Sequence, residues 1–336
     1  MTLQKMQFLK ELIRNLLIIP MIPFGGILRV LDCKLIYIDE TRIGHYFGDT
    51  IALLTFFKKT RLIFPVMQPC SSFITSQINL SANITVVRSR ALKKVTGWLR
   101  NYPIFVLNLS NSLNPVHDVH FFKNKIYLPR YKFNDINLNE LINDNKLRYM
   151  IGNFKENLGI KEGKIISFNH RSLEHDRDSG EKHTFRNFDS RNAQCLLKEL
   201  EKSTLQVINL SLLQSNAPNV INLKQADYNI DHIIFSILVS DFYVGDSTGT
   251  TVVAQIHKIN SFLYNIFPRN FNCTNTKSLI CPVSYHSVDE SFPINPEQVD
   301  LFQTKAHFDL NKVILKPPNE NEVLSSFHSW LKVAIL

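Results

Sequence analysis

Short apolar runs alternate with helix-like stretches along this chain, and that alternation restricts it to a parallel α/β architecture. In the second half the runs are KIISF (164–168), LQVINL (205–210), NVINL (219–223), DFYVGD (241–246) and SFLYNI (261–266). Between and after them lie segments with helical patterning: one from Asp189 or Ser190 to about Lys202, IDHIIFSILVS, TGTTVVAQIHK and, at the end, SSFHSWLKVAI. The first half repeats the rhythm less clearly. KLIYID (34–39), RLIFPV (61–66), ITVVRS (84–89) and PIFVLNL (103–109) read as strands, and IALLTFF and ALKKVTGWLR (91–100) as helices.

At 336 residues the chain is too long for one ordinary core. A polar, Asn-rich stretch from about 110 to 145 places a boundary, with a helix from about Lys146 to Leu158 leading onward. The expected organisation is an apolar segment over 1–32, an N-terminal domain over 33–145 and a C-terminal domain over 146–336. Each domain would be a doubly wound sheet, the two facing each other across a cleft, with ligands at the carboxyl ends of the strands.

The net charge of +9 asks for an anionic partner. No run of five basic residues and no zinc-finger or helix-turn-helix spacing is present, which argues against nucleic acid and leaves phosphates and lipid head groups. Five scattered cysteines, Cys33, Cys70, Cys195, Cys273 and Cys281, argue against a disulfide framework and for a reducing compartment. Near the N-terminus, Leu16 to Leu28 is almost wholly apolar and flanked by basic residues. It is too short to span a bilayer, and Pro20 and Pro23 are expected to break it. Such a segment reads either as an interfacial membrane anchor or as a helix packed on the protein's own core.

Three segments carry candidate chemistry, each just after an expected strand. In the loop ETRIGHYFGDT, Arg42, Gly44, His45 and Asp49 stand together. The glycine lets backbone approach a ligand, and Asp49 four residues after His45 could orient it as a general base. The plainer reading is a turn and a helix cap. Asn169-His170-Arg171 opens a long polar loop that closes with Arg186-Asn187 before a helix. Arginines there suit a bidentate grip on phosphate, although much of such a loop is simply solvated. Asp176-Arg177-Asp178 has the letters of a metal motif but reads as part of that solvated loop. Finally, Asp246-Ser247-Thr248-Gly249 joins a strand to a helix. It is neither a Walker loop nor a dinucleotide fingerprint, yet a helix N-terminus with hydroxyls is an anion site or, equally, a well-capped helix. A side chain at position 249 would stand in the ligand's space, whereas Thr251, deeper in the helix, should matter less.

Taken in order, RIGH, a strand ending in NHR with a downstream RN-x-D, and a strand reading DFYVGDSTG resemble a family of bacterial glycosyltransferases of surface-polysaccharide clusters, over about residues 35–266. That resemblance implies a GT-B-like fold of two facing Rossmann-like domains and a nucleotide-sugar donor, with no cofactor and no metal. It implies donor diphosphate contacts from Arg171 and Arg186, with Asn187 beside them. Ser247, Thr248 and Gly249 would form a phosphate or ribose cradle, and Arg42 and His45 an acceptor-side loop. The expected activity is transfer of a sugar to a glycan or lipid-linked acceptor, at the inner face of a cytoplasmic membrane. The alternatives are a sugar-nucleotide epimerase or hydrolase on the same fold, and a non-catalytic membrane-associated scaffold. One departure from the family pattern is Asn209-Leu210-Ser211, where a glycine-ended turn is usual.

Overall fold

A computed structural model describes residues 22–38, 40–41, 43–50, 60–79, 84–99, 106–108, 144–171, 190–223, 228–246, 248–266, 277–287 and 313–335. The first half holds helix α1 (Ile22–Val30), β1 (Cys33–Tyr37), a π-helix (Gly44–Asp49), β2 (Arg61–Val66), α2 (Ser72–Ile78), β3 (Ile84–Arg88), α3 (Arg90–Leu99) and β4 (Val106–Asn108). The second half begins with α4 (Asp144–Asn157), then β5 (Ile165–Phe168), α5 (Arg191–Glu201), β6 (Gln206–Asn209), β7 (Val220–Asn222), α6 (Ile230–Leu238) and β8 (Phe242–Gly245). It continues with α7 (Gly249–Ile256), β9 (Asn260–Ile266), β10 (Leu279–Pro282), β11 (Ser284–Ser287), β12 (Val313–Lys316) and α8 (Glu320–Ile335).

Both main sheets are parallel. The first has the order β3-β2-β1-β4 and the second β10-β9-β8-β5-β6-β7. Each therefore starts at a central strand, winds outward one way, then returns and winds the other way. This is the Rossmann order, and it creates a switch point between β1 and β4 and another between β5 and β8. A separate antiparallel pair joins β11 to β12.

Residue alternation explains why the second sheet is covered on both faces. Ile165, Ile208, Tyr243 and Leu263 point into one core, with Ile234 of α6 and Val253 of α7. Their neighbours Ile166, Val207, Phe242, Val244 and Phe262 point into another, with Leu196 of α5 and Phe327 and Trp330 of α8. Strands buried on both faces read as continuous apolar runs, which is how these look in sequence. The first of these cores also takes in Ile36, Leu62 and Phe64 of the first sheet, with Tyr46, Phe47, Phe73 and Ile74. The halves thus share one apolar core where the π-helix and α2 meet α6 and α7.

Several expectations need correction. The stretch holding Gly44, His45, Gly48 and Asp49 is helical from Ile43 onward, not a loop. Ile43, Tyr46 and Phe47 recur at helical spacing, and Tyr46 and Phe47 are buried in the shared core. Pro23 sits in the first turn of α1, where its missing N–H has no intrahelical partner to lose, whereas Pro20 and the rest of the apolar segment up to residue 21 lie outside the described residues. Helix α8 starts at Glu320, ahead of the expected 325, because Asn319 and Glu322 exchange side-chain and backbone bonds of 2.9 and 3.0 Å, a capping box. Ser190 does sit before α5, but its hydroxyl makes no cap bond and accepts instead from Gln194 Nε2 at 3.1 Å. The polar stretch expected to hold the domain boundary lies outside the described residues up to 143.

Candidate functional site

Residues 169–171 leave the carboxyl end of β5, and residues 246–249 leave that of β8. The two strands are hydrogen-bonded neighbours on either side of the second sheet's switch point. A crevice at that place is where open α/β sheets hold ligands, because flanking connections depart to opposite faces and part from each other.

The two strand ends are tied together by buried polar groups. Asp246 Oδ2 lies 3.0 Å from His170 Nδ1 and accepts the Arg171 backbone N–H at 2.8 Å. Both His170 and Asp246 are buried. The other carboxylate oxygen, Oδ1, is enclosed and meets no hydrogen-bond donor. The His170 ring stacks on Tyr264 at 6.4 Å between centroids, and the Tyr264 hydroxyl donates to Asn169 O.

A second network runs through the turn itself. Asn169 Nδ2 donates to Thr250 Oγ1 at 2.7 Å and to Thr248 Oγ1 at 3.2 Å. Tyr243 OH bonds with Thr250 and Thr251, and Thr251 Oγ1 donates to the Asp246 carbonyl. Burial pushes the Tyr243 hydroxyl up to about 12, so it stays protonated at neutral pH. Thr251 is therefore a structural pin of the turn. Thr248 is the N-cap of α7, yet its side chain makes no cap bond. The first N–H groups of α7, at the positive end of the helix dipole, are thus not satisfied by the Thr248 side chain.

Gly44 brings the first half to this point. A Cβ built on Gly249 would lie 3.0 Å from Gly44 N and 3.4 Å from Ile43 Cβ. The space that the sequence reading gave to a ligand at this position is taken by the backbone of the other half. Gly44 and Gly249 thus bring the start of the π-helix, a few residues beyond β1, against the start of α7. Gly245 is also constrained, since a Cβ there would meet the buried Tyr243 hydroxyl at 2.2 Å.

Of the residues singled out in the sequence, Gly44, Arg171, Thr248 and Gly249 are brought to this region. Arg171 is half-buried and has a side-chain or backbone partner beyond the Asp246 contact. Arg42, Arg186, Asn187 and Ser247 lie outside the described residues, as does Asp176-Arg177-Asp178, and so do the side chains of His45 and Asp49. Among the described residues no cluster of three or more His, Cys, Asp or Glu could hold a metal ion. The sequence marks Asn169 and His170 only as the opening of a polar loop and Asp246 only as part of a turn, without the bonds that join them. Their signal was positional: polar residues directly behind apolar strands that a Rossmann order makes neighbours.

Three further groups shape the surroundings. After β6, Asn209 and Asn222 bond to each other and to the loop backbone: Asn209 Nδ2 donates to Asn222 Oδ1 at 2.8 Å, and Asn209 Oδ1 accepts from Ser211 N–H and O–H. This knot replaces the glycine-ended turn and uses both side-chain amides internally. Behind β1, buried Glu40 pairs with Lys93, which also donates to Ile38 O at 2.7 Å, and accepts the Met67 N–H at 3.1 Å. This fixes the chain that leads into the π-helix. Finally, Asp231 of α6 accepts from Ser71 Oγ, from Ser72 Oγ at 2.7 Å and from Phe73 N–H at 3.4 Å, joining the halves.

A scan of protein-family models gives no match, and a search of curated proteins gives none either. Solved structures do match. A glycosyl transferase family 9 protein from Veillonella parvula aligns at TM-score 0.47 and 9% identity, covering 89% of this chain and 97% of that one. E. coli heptosyltransferase WaaC with ADP aligns at TM-score 0.38 and 10% identity, covering 81% and 97%. The wall teichoic acid polymerase TagF aligns at TM-score 0.31 and 13% identity, covering 96% and 92%. At these scores the likeness assigns this chain neither substrate nor activity, which rest on the site itself.

Proposed function

We propose that this chain is a glycosyltransferase that moves a sugar from a nucleotide-sugar donor to a glycan or lipid-linked acceptor in surface-polysaccharide synthesis, at the inner face of a membrane. The observation that carries this reading is the meeting of Gly44, at the start of the π-helix, with the start of α7 beside the Arg171 strand end. A two-substrate transfer needs one binding surface from each half brought to a common point, and this contact supplies it.

Displacement of a nucleoside diphosphate builds negative charge on the leaving group and positive charge on the anomeric carbon. The uncapped N–H groups of α7 and the guanidinium of Arg171 would meet the first. Arg186 and Asn187 would complete that grip, with Ser247 and Thr248 at the turn. His45, with Asp49, would take the proton of the attacking hydroxyl from the acceptor side, where Arg42 would also lie. His170 and Asp246 act as positioning residues: their bond and the Arg171 N–H hold the strand end from which Arg171 departs. The donor is a substrate, and no cofactor enters the scheme.

The test is thermal unfolding of the full chain with UDP, GDP, CMP, dTDP and inorganic pyrophosphate. A nucleotide at 100 times its dissociation constant adds about 2.7 kcal/mol of stability. One nucleotide should stabilise the wild type and fail to stabilise Arg171→Ala. No stabilisation by any of them rejects the reading, and turnover of a sugar nucleotide without acceptor would point to an epimerase or hydrolase.

A further inference from the structure

Helices α1 and α3 cover the same face of the first sheet. Leu28 of α1 and Leu99 of α3 are buried together with Leu35 of β1 and Val106 of β4. The opposite sides of both helices face outward. On α1, and in the residue that follows it, this outward side is apolar: Ile27 is 55% exposed, Val30 86% and Leu31 60%. Val30 and Leu31 follow Ile27 by three and four residues, so the three form one stripe. On α3 the outward side holds exposed Arg90 and Lys94 and the 40%-exposed Val95. Neither helix contains an acidic residue. The exposed Asp32, in the turn after α1, accepts a hydrogen bond from the Thr60 hydroxyl.

We infer that this face is a docking surface for an anionic lipid bilayer, with Ile27, Val30 and Leu31 inserted among the acyl chains and Arg90 and Lys94 at the head groups. An aliphatic stripe on a helix whose other side is anchored in a protein core cannot turn away from water on its own. Singly scattered apolar residues need no explanation, but three consecutive positions of one stripe do. A bilayer interface takes up such a stripe without requiring a shaped partner, and it rewards basic neighbours. The charge on α3 favours an anionic surface over a second copy of this face, since two such faces would bring like charges together. No helix among the described residues is long and apolar enough to cross a membrane, so the contact is with the surface. The inference names the surface behind the membrane part of the proposed function, and it rests on none of the sugar chemistry.

The experiment is flotation of the full chain with phosphatidylcholine vesicles and with vesicles containing phosphatidylglycerol. Wild type should float with the anionic vesicles and much less with the neutral ones. The triple variant Ile27→Ser, Val30→Ser, Leu31→Ser should lose at least tenfold in partitioning. Arg90→Gln with Lys94→Gln should lose about fivefold per charge, and less as salt is raised. Melting curves matching wild type show that the variants are folded. If the serine variant fails to fold, the single exchange Val30→Ser, at the most exposed position, provides the same comparison. Failure of wild type to bind anionic vesicles overturns the inference. So does unchanged binding by a folded variant, or a dimer of the wild type that the serine exchanges dissolve. A chain that binds nucleotide but not vesicles would separate this failure from failure of the transferase reading.

Discussion

Gly44 and Gly249 touch backbone to backbone, so that a Cβ on Gly249 would sit 3.0 Å from Gly44 N, whereas one on Gly44 would sit 3.4 Å from Gly249 Cα. The asymmetry makes a prediction. The first distance is tighter than most real Cβ contacts, so the facing backbone must give by a few tenths of an ångström, and the second is ordinary contact. Gly249→Ala should therefore cost about 1–3 kcal/mol through forced separation of the two turns, and Gly44→Ala clearly less. Urea midpoints of the two variants check it, and equal losses would contradict the geometry. Loss of nucleotide binding in a position-249 variant does not by itself locate a phosphate there, because the other half moves first.

This pair also shows what was legible in the sequence. Strands β1 to β3 and β5 to β9 and helices α5, α6 and α7 are readable as apolar runs and periodic stretches, since buried parallel strands leave little room for polar residues. Gly44 and Gly249 stand out as glycines beside strand ends. Their reason for being glycine does not, because it lies about 200 residues away in the chain. The same holds for Asp246, whose bonds to His170 and Arg171 depend on strand order, a property no local window contains. The π-helix was hidden by its glycines and histidine, which read as loop until Tyr46 and Phe47 are seen to be buried. The capping box at Asn319 and Glu322, in contrast, was present in the letters and passed over.

Asp246 supports a second prediction. Alanine there leaves His170 Nδ1 and the Arg171 N–H without their acceptor in a buried place. Each lost partner costs about 1–3 kcal/mol, so Asp246→Ala should destabilise by about 2–5 kcal/mol. Asp246→Asn keeps an acceptor oxygen and should fall between alanine and wild type. Denaturant unfolding gives the order. Asparagine as damaging as alanine would mean that the charge, not the hydrogen bonds, holds the strand ends.

His257 ends α7 with its ring 5.9 Å from that of Phe47, and its Nε2 is enclosed without a partner. Burial pushes this imidazole down to about 4, against 6.5 for a free one. The folded state thus binds fewer protons than the unfolded chain between these values. The contribution is fully present above pH 6.5 and is lost as pH falls toward 4. A gap of this size corresponds to about 3 kcal/mol. In His257→Asn, the stability difference between pH 7.5 and pH 4.5 should shrink by that order. An identical pH dependence in variant and wild type would assign the acid sensitivity elsewhere.

Asp231 lies in the first turn of α6 and reaches the first turn of α2 in the other half. One carboxylate therefore serves two helix N-termini, where negative charge is favoured by both dipoles. It accepts from the hydroxyls of Ser71 and Ser72, and Ser71 in turn accepts the Ile74 N–H at 2.9 Å as the N-cap of α2. Removing the carboxylate should loosen α2 and weaken the seam together. Asp231→Ala is expected to cost about 2–3 kcal/mol, the range for hydrogen bonds to a charged acceptor. Ser72→Ala, which removes one of these bonds and leaves the cap of α2 intact, should cost clearly less than Asp231→Ala. Hydrogen exchange gives the sharper test. In Asp231→Ala the amides of Phe73 to Ile78 should lose protection, while those of β5 and β8, deep in the second sheet, should keep it. If protection falls equally across both halves, Asp231 supports the fold as a whole and not the seam between its parts.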